Sequence, residues 1–512
     1  MGNVLGETMI NILAFKYSSQ ELSFNEFMDG KRPKKSKEIT IDYDTHDFLY
    51  PVDCESKYGN ALSQMYYYFG GSSDNGKFKV HHSEDTLNTN EPYLIYVEYQ
   101  PDSSTPGPTR QMKYVFTEGL DSKHTENIRK GIAKIWFDCT PEERIGQGEP
   151  LNELFKFLDK IKIPHSSILY TDGDQLVDEL FEKHSKDIQV KVLPLHMNNA
   201  WESFQKLAND NLWSRLIVNQ EYFLRPKHFM FNNFMPRVAR VILMAELVKS
   251  KIHKKGFCSF QDIGEDGNIF FPSMGDASFA DRSFNIYEIC HANNNLKDHS
   301  EFKRNYIDVI RDVLPLSHDM IGLKQEDTLD NLDYTTARIS DSMTLAHAYE
   351  HALEDEGKRT LTHYDSTYGP YYNPISYLNV YFDVCAETYS GGFHQDKCPG
   401  PVFTEKVYRP LALGTPFLPV SEPGSIKALR RQGFKMYDNM FDYSFDEEKH
   451  GPTRIKMIYD NIKRLTDMSR EELHKLTYSH KKEMVYNHEY FINDFYHNVY
   501  ENHLKFLTEW VR

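Results

Sequence analysis

The sequence predicts an α/β protein with more than one domain. Three short apolar runs, at residues 132–137, 167–170 and 188–193, are predicted as strands, and stretches with helical spacing separate them. Strand, helix and strand at this spacing form right-handed crossovers in a parallel sheet. The chain has 512 residues, which is too many for one ordinary core, so we expect two domains with extensions.

The other elements follow from the same patterns. Alternation or short apolar runs predict further strands at 10–15, 39–44, 93–99, 228–232, 257–260, 376–384 and 417–420. Spacing of about 3.6 residues predicts helices at 151–161, 176–184, 238–251, 302–314, 340–353, 425–431, 454–465, 469–476 and 487–510. Thr404 is placed to cap one more helix, which begins with Glu405 and Lys406 and should end or kink near Pro410.

The composition narrows the class of protein. The net charge of −16 argues against a protein that coats nucleic acid over its whole surface, although it allows a local basic groove. The six cysteines are scattered without the spacing of a zinc site, so we expect reduced thiols. The first residues lack the pattern of a signal peptide, and no apolar run is long enough for a bilayer. We therefore expect a cytoplasmic protein with no membrane partner.

The most informative stretch is 401–434, which contains two predicted helix starts and a short buried strand. Backbone N–H groups at a helix start attract anions, and a diphosphate is a natural guest. Glu405 is suited to accept hydrogen bonds from two neighbouring ribose hydroxyls, and Lys406 is suited to neutralise a phosphate as a point charge. An isolated Glu-Lys pair, however, is more often the solvated first turn of a helix.

The wider pattern around this pair has a known counterpart. Thr-Glu-Lys, Gly-Thr-Pro-Phe, Pro-Gly-Ser and Leu-Arg-x-x-Gly-Phe follow one another here, and together this order resembles the signature of a glycosyltransferase family of tailed phages and some bacteria. The Glu-Lys pair is also similar to the donor-binding element of fucosyltransferases and other transferases of the GT-B architecture. The resemblance covers roughly residues 130–500 and is strongest over 376–446.

The resemblance implies a GT-B fold, in which two Rossmann-like domains face each other across a cleft. Residues 1–222 would form the acceptor-side domain, 223–450 the nucleotide-sugar-binding domain, and 451–512 the C-terminal helices that pack back. The implied reaction transfers a sugar from a nucleotide diphosphate sugar, with a UDP-sugar favoured, to an acceptor hydroxyl. Such enzymes commonly need no metal or other cofactor, because helix dipoles and basic side chains stabilise the leaving diphosphate.

The resemblance also implies a set of donor-binding residues. Arg237 is the best single candidate for the diphosphate, because a planar guanidinium at a helix start suits it; pairing with a nearby carboxylate is the alternative. Phe234 and Met235 stand where the family usually has arginines, so this loop has fewer cations than the family pattern. The full predicted donor site is Thr404, Glu405, Lys406, Arg237, Asn233, Glu387, Thr388, Gly424 and Ser425.

An inverting enzyme would also need a general base for the acceptor hydroxyl. Acidic residues beyond the carboxyl ends of predicted strands lie on the edge of the sheet where ligands bind. The candidates are Asp138 and Glu142, with Asp44 behind them, although acidic strand-end loops are structural in most proteins. The sequence leaves open whether the anomeric configuration is inverted or retained.

The acceptor we favour is double-stranded DNA. Phage enzymes of this kind include those that glycosylate 5-hydroxymethylcytosine in the phage's own DNA. A basic loop early in the chain is consistent with phosphate contacts, or it is simply a solvated loop; its cations are Lys31, Arg32, Lys34, Lys35 and Lys37. The alternatives are transfer to a surface glycan or a protein, or a non-catalytic nucleotide-sugar-binding protein of the same fold.

Overall fold

The chain folds into two compact units. In a computed structural model, unit 1 comprises residues 1–195, 396–400 and 497–512, and unit 2 comprises residues 196–395 and 401–496. The structure describes residues 9–18, 48–51, 61–69, 77–81, 86–99, 112–139, 151–182, 187–194, 197, 220–222, 224–233, 237–260, 262–263, 269–270, 299–311, 313, 377, 379–387 and 400–512.

Unit 1 is built on a seven-stranded sheet in the order β2-β1-β4-β5-β6-β7, in which β3 also pairs with β1. Every described pairing in this sheet is parallel except that of β1 with β2. Its strands are β1 (Ile10–Ser18), β2 (Phe48–Pro51), β3 (Phe78–His81), β4 (Tyr93–Tyr99), β5 (Ala133–Cys139), β6 (Ile168–Asp172) and β7 (Gln189–Val192).

Helices of unit 1 cover the apolar surface of this sheet. The described helices of its first segment are α1 (Ala61–Tyr68), α2 (Ser122–Arg129), α3 (Leu151–Lys160) and α4 (Val177–Glu182), together with a π-helix at Val115–Gly119. Helix α3 is amphipathic, and it buries Leu154 and Leu158 in the core that also contains Ile135 and Tyr170 of the sheet. The sequence patterns predicted α3 and α4 but not α1 or α2.

Unit 2 contains a four-stranded sheet in the order β13-β12-β8-β9, and all of its pairings are parallel. Its strands are β8 (Lys227–Asn232), β9 (Gly256–Ser259), β12 (Val380–Ala386) and β13 (Phe417–Val420), and a separate two-stranded ribbon joins β10 (Asp262–Ile263) to β11 (Ile269–Phe270). Each strand of the four-stranded sheet overlaps a predicted one, although β12 begins four residues later than its pattern suggested.

The described helices of unit 2 are mostly in its C-terminal half. They are α5 (Val238–Lys249), α6 (His299–Phe302), α7 (Asp308–Arg311), α8 (Glu405–Ala412), α9 (Ser425–Arg431), α10 (Gly451–Thr466), α11 (Arg470–Ser479) and α12 (Lys481–Tyr490). Helix α5 is apolar on nearly all sides because it is buried along most of its length. Ser469 and Glu472 form a capping box that fixes the start of α11.

The last helical stretch was predicted as one helix over 487–510, and the structure divides it. A π-helix at Phe491–Phe495 separates α12 from the final helix, α13 (Tyr496–Val511). From His497 onwards α13 belongs to unit 1, where the Trp510 indole N–H donates to the Ser166 carbonyl at 3.0 Å. Residues 497–512 therefore belong to unit 1, although residues 401–496 before them belong to unit 2.

The structure confirms an α/β protein with two predominantly parallel sheets. This arrangement is compatible with two Rossmann-like domains. The predicted strand at 39–44 and the predicted helix at 340–353 lie outside the described residues.

Candidate functional site

Unit 2 has a topological switch point between β8 and β12. The chain leaves β8 through α5 to β9 on one side of the sheet, whereas β12 and β13 lie on the other side of β8. In open parallel sheets of this kind, ligands bind beyond the carboxyl ends of the strands, at the point where the strand order reverses. The residues that directly follow these two strands are Asn233 and Glu387, both of which the sequence singled out.

The start of helix α8 lies beside this switch point. As predicted, Thr404 is the N-cap residue, and its side-chain oxygen accepts a hydrogen bond from the Lys406 N–H at 3.3 Å. Glu405 is the first helical residue, and the helix ends at Ala412, two residues after Pro410. The cap and the nearby proline confine α8 to about two turns, with Glu405 and Lys406 in its first turn.

Glu387 fixes the position of this helix start. Its side chain is fully buried, and its two carboxylate oxygens accept hydrogen bonds from the Thr404 N–H at 2.9 Å and the Thr404 hydroxyl at 2.5 Å. Burial raises the pKa of Glu387, while Lys406 and the Thr404 donors oppose that rise. The sequence predicted Glu387 as a donor-binding residue, but its buried carboxylate faces Thr404, so it supports the helix start.

Charges of alternating sign continue along the first turn of α8. The Lys406 ammonium lies 2.7 Å from a carboxylate oxygen of Glu405, and the Arg409 guanidinium lies 3.5 Å from the same oxygen. Arg409 also acts on Asp383 of β12. Burial raises the pKa of Asp383 to about 6, and the Tyr377 hydroxyl and Arg409 oppose that rise. Two cations therefore hold the Glu405 carboxylate in place, and its side chain remains 16% exposed.

Two arginines at the start of α5 complete the charged group. Arg240 is buried and donates to the Ala386 carbonyl at 2.7 Å, so it ties α5 to the end of β12. Burial and the neighbouring Arg237 lower the pKa of Arg240 to about 10, whereas the carboxylates of Glu387 and Glu405 raise it. Residues from three separate segments thus act on one another electrostatically at the switch point. Arg237 itself is only half-buried.

Several buried polar atoms at this edge have no hydrogen-bond partner within the described residues. They are Nε of Arg237, Oδ1 of Asn232 and the hydroxyl oxygen of Ser421. Asn232 ends β8 and Ser421 directly follows β13, so both lie at the carboxyl edge of the sheet. Buried polar atoms normally have partners, so these atoms are suited to meet a polar ligand. Ser421 was not predicted, although it directly follows a buried strand, as Asn233 and Glu387 do.

The predicted anion site at Gly424 and Ser425 has an internal partner. The carboxylate of Asp446 accepts hydrogen bonds from the Ser425 hydroxyl, the Ile426 N–H and the Lys427 N–H, at 3.0, 3.0 and 3.1 Å. These donors at the start of α9 are therefore taken by a side chain of the same unit. We leave Gly424 and Ser425 out of the site for this reason.

A buried arginine holds the same turn. The Arg454 guanidinium is fully buried and donates to the backbone carbonyls of Ser421, Glu422 and Phe445. Burial lowers the pKa of Arg454 to about 10, although Asp446 and other carboxylates oppose this. The loop after β13 is therefore a fixed structure, with its carbonyl groups turned towards Arg454.

Asp138, the predicted general base, lies in unit 1 at the end of β5. It is fully buried, and its carboxylate accepts hydrogen bonds from the Ala61 N–H at 2.8 Å, the Tyr96 hydroxyl at 2.6 Å and the Thr171 hydroxyl at 2.8 Å. A general base must come within hydrogen-bond reach of the proton that it abstracts. With no exposed surface and three donors, Asp138 has the environment of a structural carboxylate.

The remaining predicted site residues lie outside the described residues. They are Asp44, Glu142, Thr388 and the basic loop Lys31, Arg32, Lys34, Lys35 and Lys37. Within the described parts of the chain, no group of three histidine, cysteine, aspartate or glutamate side chains is placed to hold a metal ion. No helix among these residues has the length and apolar character needed to cross a membrane.

Comparison with models of known protein families gives no match, and comparison with curated proteins likewise gives none.

Proposed function

We propose that this chain is a glycosyltransferase that uses a nucleotide diphosphate sugar, and that the donor binds at the switch point of unit 2. One observation carries the proposal: Arg237, Glu387 and the pair Glu405-Lys406 come together at the carboxyl edge of a parallel sheet, although the first and last are nearly 170 residues apart in the sequence. Such an edge is the usual ligand site of open α/β sheets.

The half-buried members of this group, Arg237, Glu405 and Lys406, have the chemistry that the donor requires. The Glu405 carboxylate is suited to accept hydrogen bonds from the two ribose hydroxyls, because its cationic neighbours fix its position. Lys406 and Arg237 carry the positive charge that a diphosphate leaving group needs as its bond to the sugar breaks. Glu387 and Arg240 hold these groups in place from the buried side. Preorganised charge of this kind stabilises the transition state without reorganisation during the reaction.

The acceptor we favour is 5-hydroxymethylcytosine in duplex DNA, and this part of the proposal depends on the resemblance and on the basic loop at 31–37. A surface glycan or a protein is the alternative acceptor. The burial of Asp138 leaves Glu142 and Asp44 as the candidates for the general base. The burial of Asp138 is equally consistent with the alternative of a non-catalytic protein that binds nucleotide sugars, because such a protein needs no general base.

The donor site is tested by two single variants, Glu405→Ala and Lys406→Ala. We expect Glu405→Ala to weaken binding of a UDP-sugar by about 1–3 kcal/mol, the scale of hydrogen bonds to a charged group. Lys406→Ala should weaken binding of UDP more than binding of uridine, because it removes a charge near the phosphates. Calorimetry would measure both. The matched control is Glu448→Ala with Lys449→Ala, an adjacent Glu-Lys pair in the same unit.

Equal affinity of the wild type and both variants for UDP, UDP-glucose and the corresponding GDP compounds would refute the donor site. Activity is tested separately, by hydrolysis of the donor without acceptor. The acceptor screen would compare duplex DNA with hydroxymethylcytosine, unmodified duplex DNA and lipid-linked glycans. Donor binding with neither hydrolysis nor transfer would favour the non-catalytic protein.

A further inference from the structure

The opposite edge of the unit 2 sheet carries a cluster of positive charge, which we call the basic edge. Parallel strands start at this edge, where Lys227 begins β8 and residues 254–255 immediately precede β9. Strand β8 has six residues, so the basic edge and the candidate donor site are separated by roughly 20 Å along the strands. The members of the basic edge are Lys227, Lys249, Lys251, Lys254, Lys255 and Arg470.

The charge is locally concentrated, although the whole chain is acidic. Residues 249–255 contain four lysines and one histidine with no acidic residue, in a chain of net charge −16. Two contacts join further parts to this stretch: the Lys227 ammonium donates to the Lys254 carbonyl at 2.9 Å, and the Lys255 ammonium donates to the Thr466 carbonyl. These contacts bring together the start of β8, the segment before β9 and the end of α10, and Arg470 at the start of α11 lies near them because it acts on His228 together with Lys255.

The field of these cations reaches two buried histidines. Burial is the main cause that lowers the pKa of His228, and Lys255 and Arg470 lower it further. Burial likewise lowers the pKa of His253, and Lys254 and Lys227 add to that effect. Cations from the whole basic edge, from Lys227 to Arg470, therefore lower the pKa values of these two histidines.

Two members of the basic edge have acidic neighbours. Glu246 pairs with Lys249 at 2.7 Å, and Asp467, which pairs with Lys463 at 2.5 Å, also has its pKa lowered by Lys255. Within the described part of the chain, Lys251, Lys254 and Arg470 have no ion-pair partner, and all three are exposed. These three side chains are therefore members of the basic edge that no carboxylate of the described residues pairs with.

One of these lysines also has an unfavourable backbone conformation. Lys251 follows the C-cap of α5 with φ of 61°, in the left-handed region that glycine adopts easily at this position. A side chain other than glycine there costs on the order of 1 kcal/mol. Lys162 has the same conformation after α3, so this backbone cost is separate from the charge of Lys251.

We propose that the basic edge binds the phosphate backbone of nucleic acid. Lysines act as point charges that neutralise successive phosphates and release their counterions. A binding site for an acidic protein would be expected to contain aromatic or aliphatic anchors, because lysine is depleted from the centres of such interfaces. The only aliphatic residue within 249–255 is Ile252, and it is buried. This inference does not depend on glycosyl transfer, because the basic edge is at the opposite end of the strands from the donor site.

The test measures binding of a fluorescently labelled 20-base-pair duplex by anisotropy over a range of salt concentrations. We expect the full-length wild type to bind, with log affinity falling linearly with log salt. The triple variant Lys251→Gln, Lys254→Gln and Arg470→Gln should reduce that slope by about 3, one unit for each phosphate contact removed. The control variant Lys449→Gln, Lys482→Gln and Lys505→Gln removes the same charge from exposed positions elsewhere and should keep the wild-type slope.

Two controls test whether a change in binding comes from the lost charge and not from unfolding. Lys251→Arg with Lys254→Arg preserves the charge and should bind like the wild type, and urea unfolding checks that each variant folds. The proposal is overturned if the wild type does not bind duplex at low salt, or if the triple and control variants have equal slopes. It is also overturned if polyglutamate competes as well as unlabelled duplex, since the partner would then be an acidic protein.

Discussion

Replacing Glu387 with Gln tests whether this buried carboxylate acts by positioning the donor site. Both Thr404 donors point at its oxygens, at 2.9 and 2.5 Å. The amide introduced by Glu387→Gln is uncharged. Its oxygen still accepts from one Thr404 donor, and the Thr404 hydroxyl can turn to accept from its NH₂ group, so both hydrogen bonds lose their charged partner. Hydrogen bonds to charged groups contribute about 1.5–3 kcal/mol against about 1 kcal/mol for neutral ones, so we expect the free energy of unfolding to fall by roughly 1–3 kcal/mol.

Affinity for a nucleotide diphosphate should fall as well, although Glu387 is buried and cannot touch a ligand. The reason is that Thr404 caps the helix whose first residues are Glu405 and Lys406. A double-mutant cycle separates this route from a general loss of stability. Thr404→Val removes the hydroxyl and keeps the shape, so Glu387→Gln should have little further effect on affinity in the Thr404→Val background.

The control is Glu98→Gln, the same substitution at a buried glutamate of unit 1. It should change stability without changing the affinity of unit 2 for nucleotide. Additive effects of Glu387→Gln and Thr404→Val on both affinity and unfolding would refute positioning through Thr404. If neither the wild type nor any variant binds nucleotide, the unfolding measurements still give the coupling energy between Glu387 and Thr404.

Two further predictions concern stability. Burial lowers the pKa of His488 from 6.5 to about 4. The folded state therefore binds the proton more weakly than the unfolded state, so about 3 kcal/mol of stability present above pH 6.5 should be lost as the pH falls towards 4. Urea midpoints from pH 8 to 4.5 should show a smaller loss for His488→Gln than for the wild type; parallel curves would contradict this. Lys162 follows helix α3 with φ of 58°, so Lys162→Gly should stabilise by about 0.5–1 kcal/mol. Lys160→Gly, inside the helix, should destabilise by a similar amount, and thermal unfolding would compare the two.

Local patterns predicted most of the strands and helices that contain the candidate site. Strands β4 and β13 and helix α9 have the predicted bounds, because alternation, apolar runs and turn residues mark them within a few positions. Helices α1 and α2 were not predicted. The mean hydropathy of α2 is low, and a short polar helix with few apolar positions leaves a weak periodic signal. The π-helix at Phe491–Phe495 was missed because it continues a helix without a break in composition.

The local sequence predicted the part of the candidate site that lies at the start of helix α8. Thr404 as the N-cap and Glu405 as the first helical residue follow from the local sequence. The partners of Thr404 and of the α9 start could not be predicted, because they come from distant segments. Glu387 precedes Thr404 by 17 residues, and Asp446 follows Ser425 by 21. A sequence shows which backbone groups need an acceptor but not which distant carboxylate will supply it.

The three acidic residues Asp138, Glu387 and Glu405 differ in how far neighbouring groups bury and hold their carboxylates. Asp138 accepts from three donors and Glu387 from two, all supplied by neighbouring segments, so burial of these charges is compensated and they fasten the loops around them. Glu405, by contrast, is held from two sides by cations but keeps part of its surface exposed. A ligand can reach a carboxylate of the second kind only. Asp138 and Glu387 lie at strand ends and are fully buried, whereas Glu405 begins helix α8 and is partly exposed. An acidic residue at a strand end therefore does not by itself predict a ligand contact, and its burial has to be known as well.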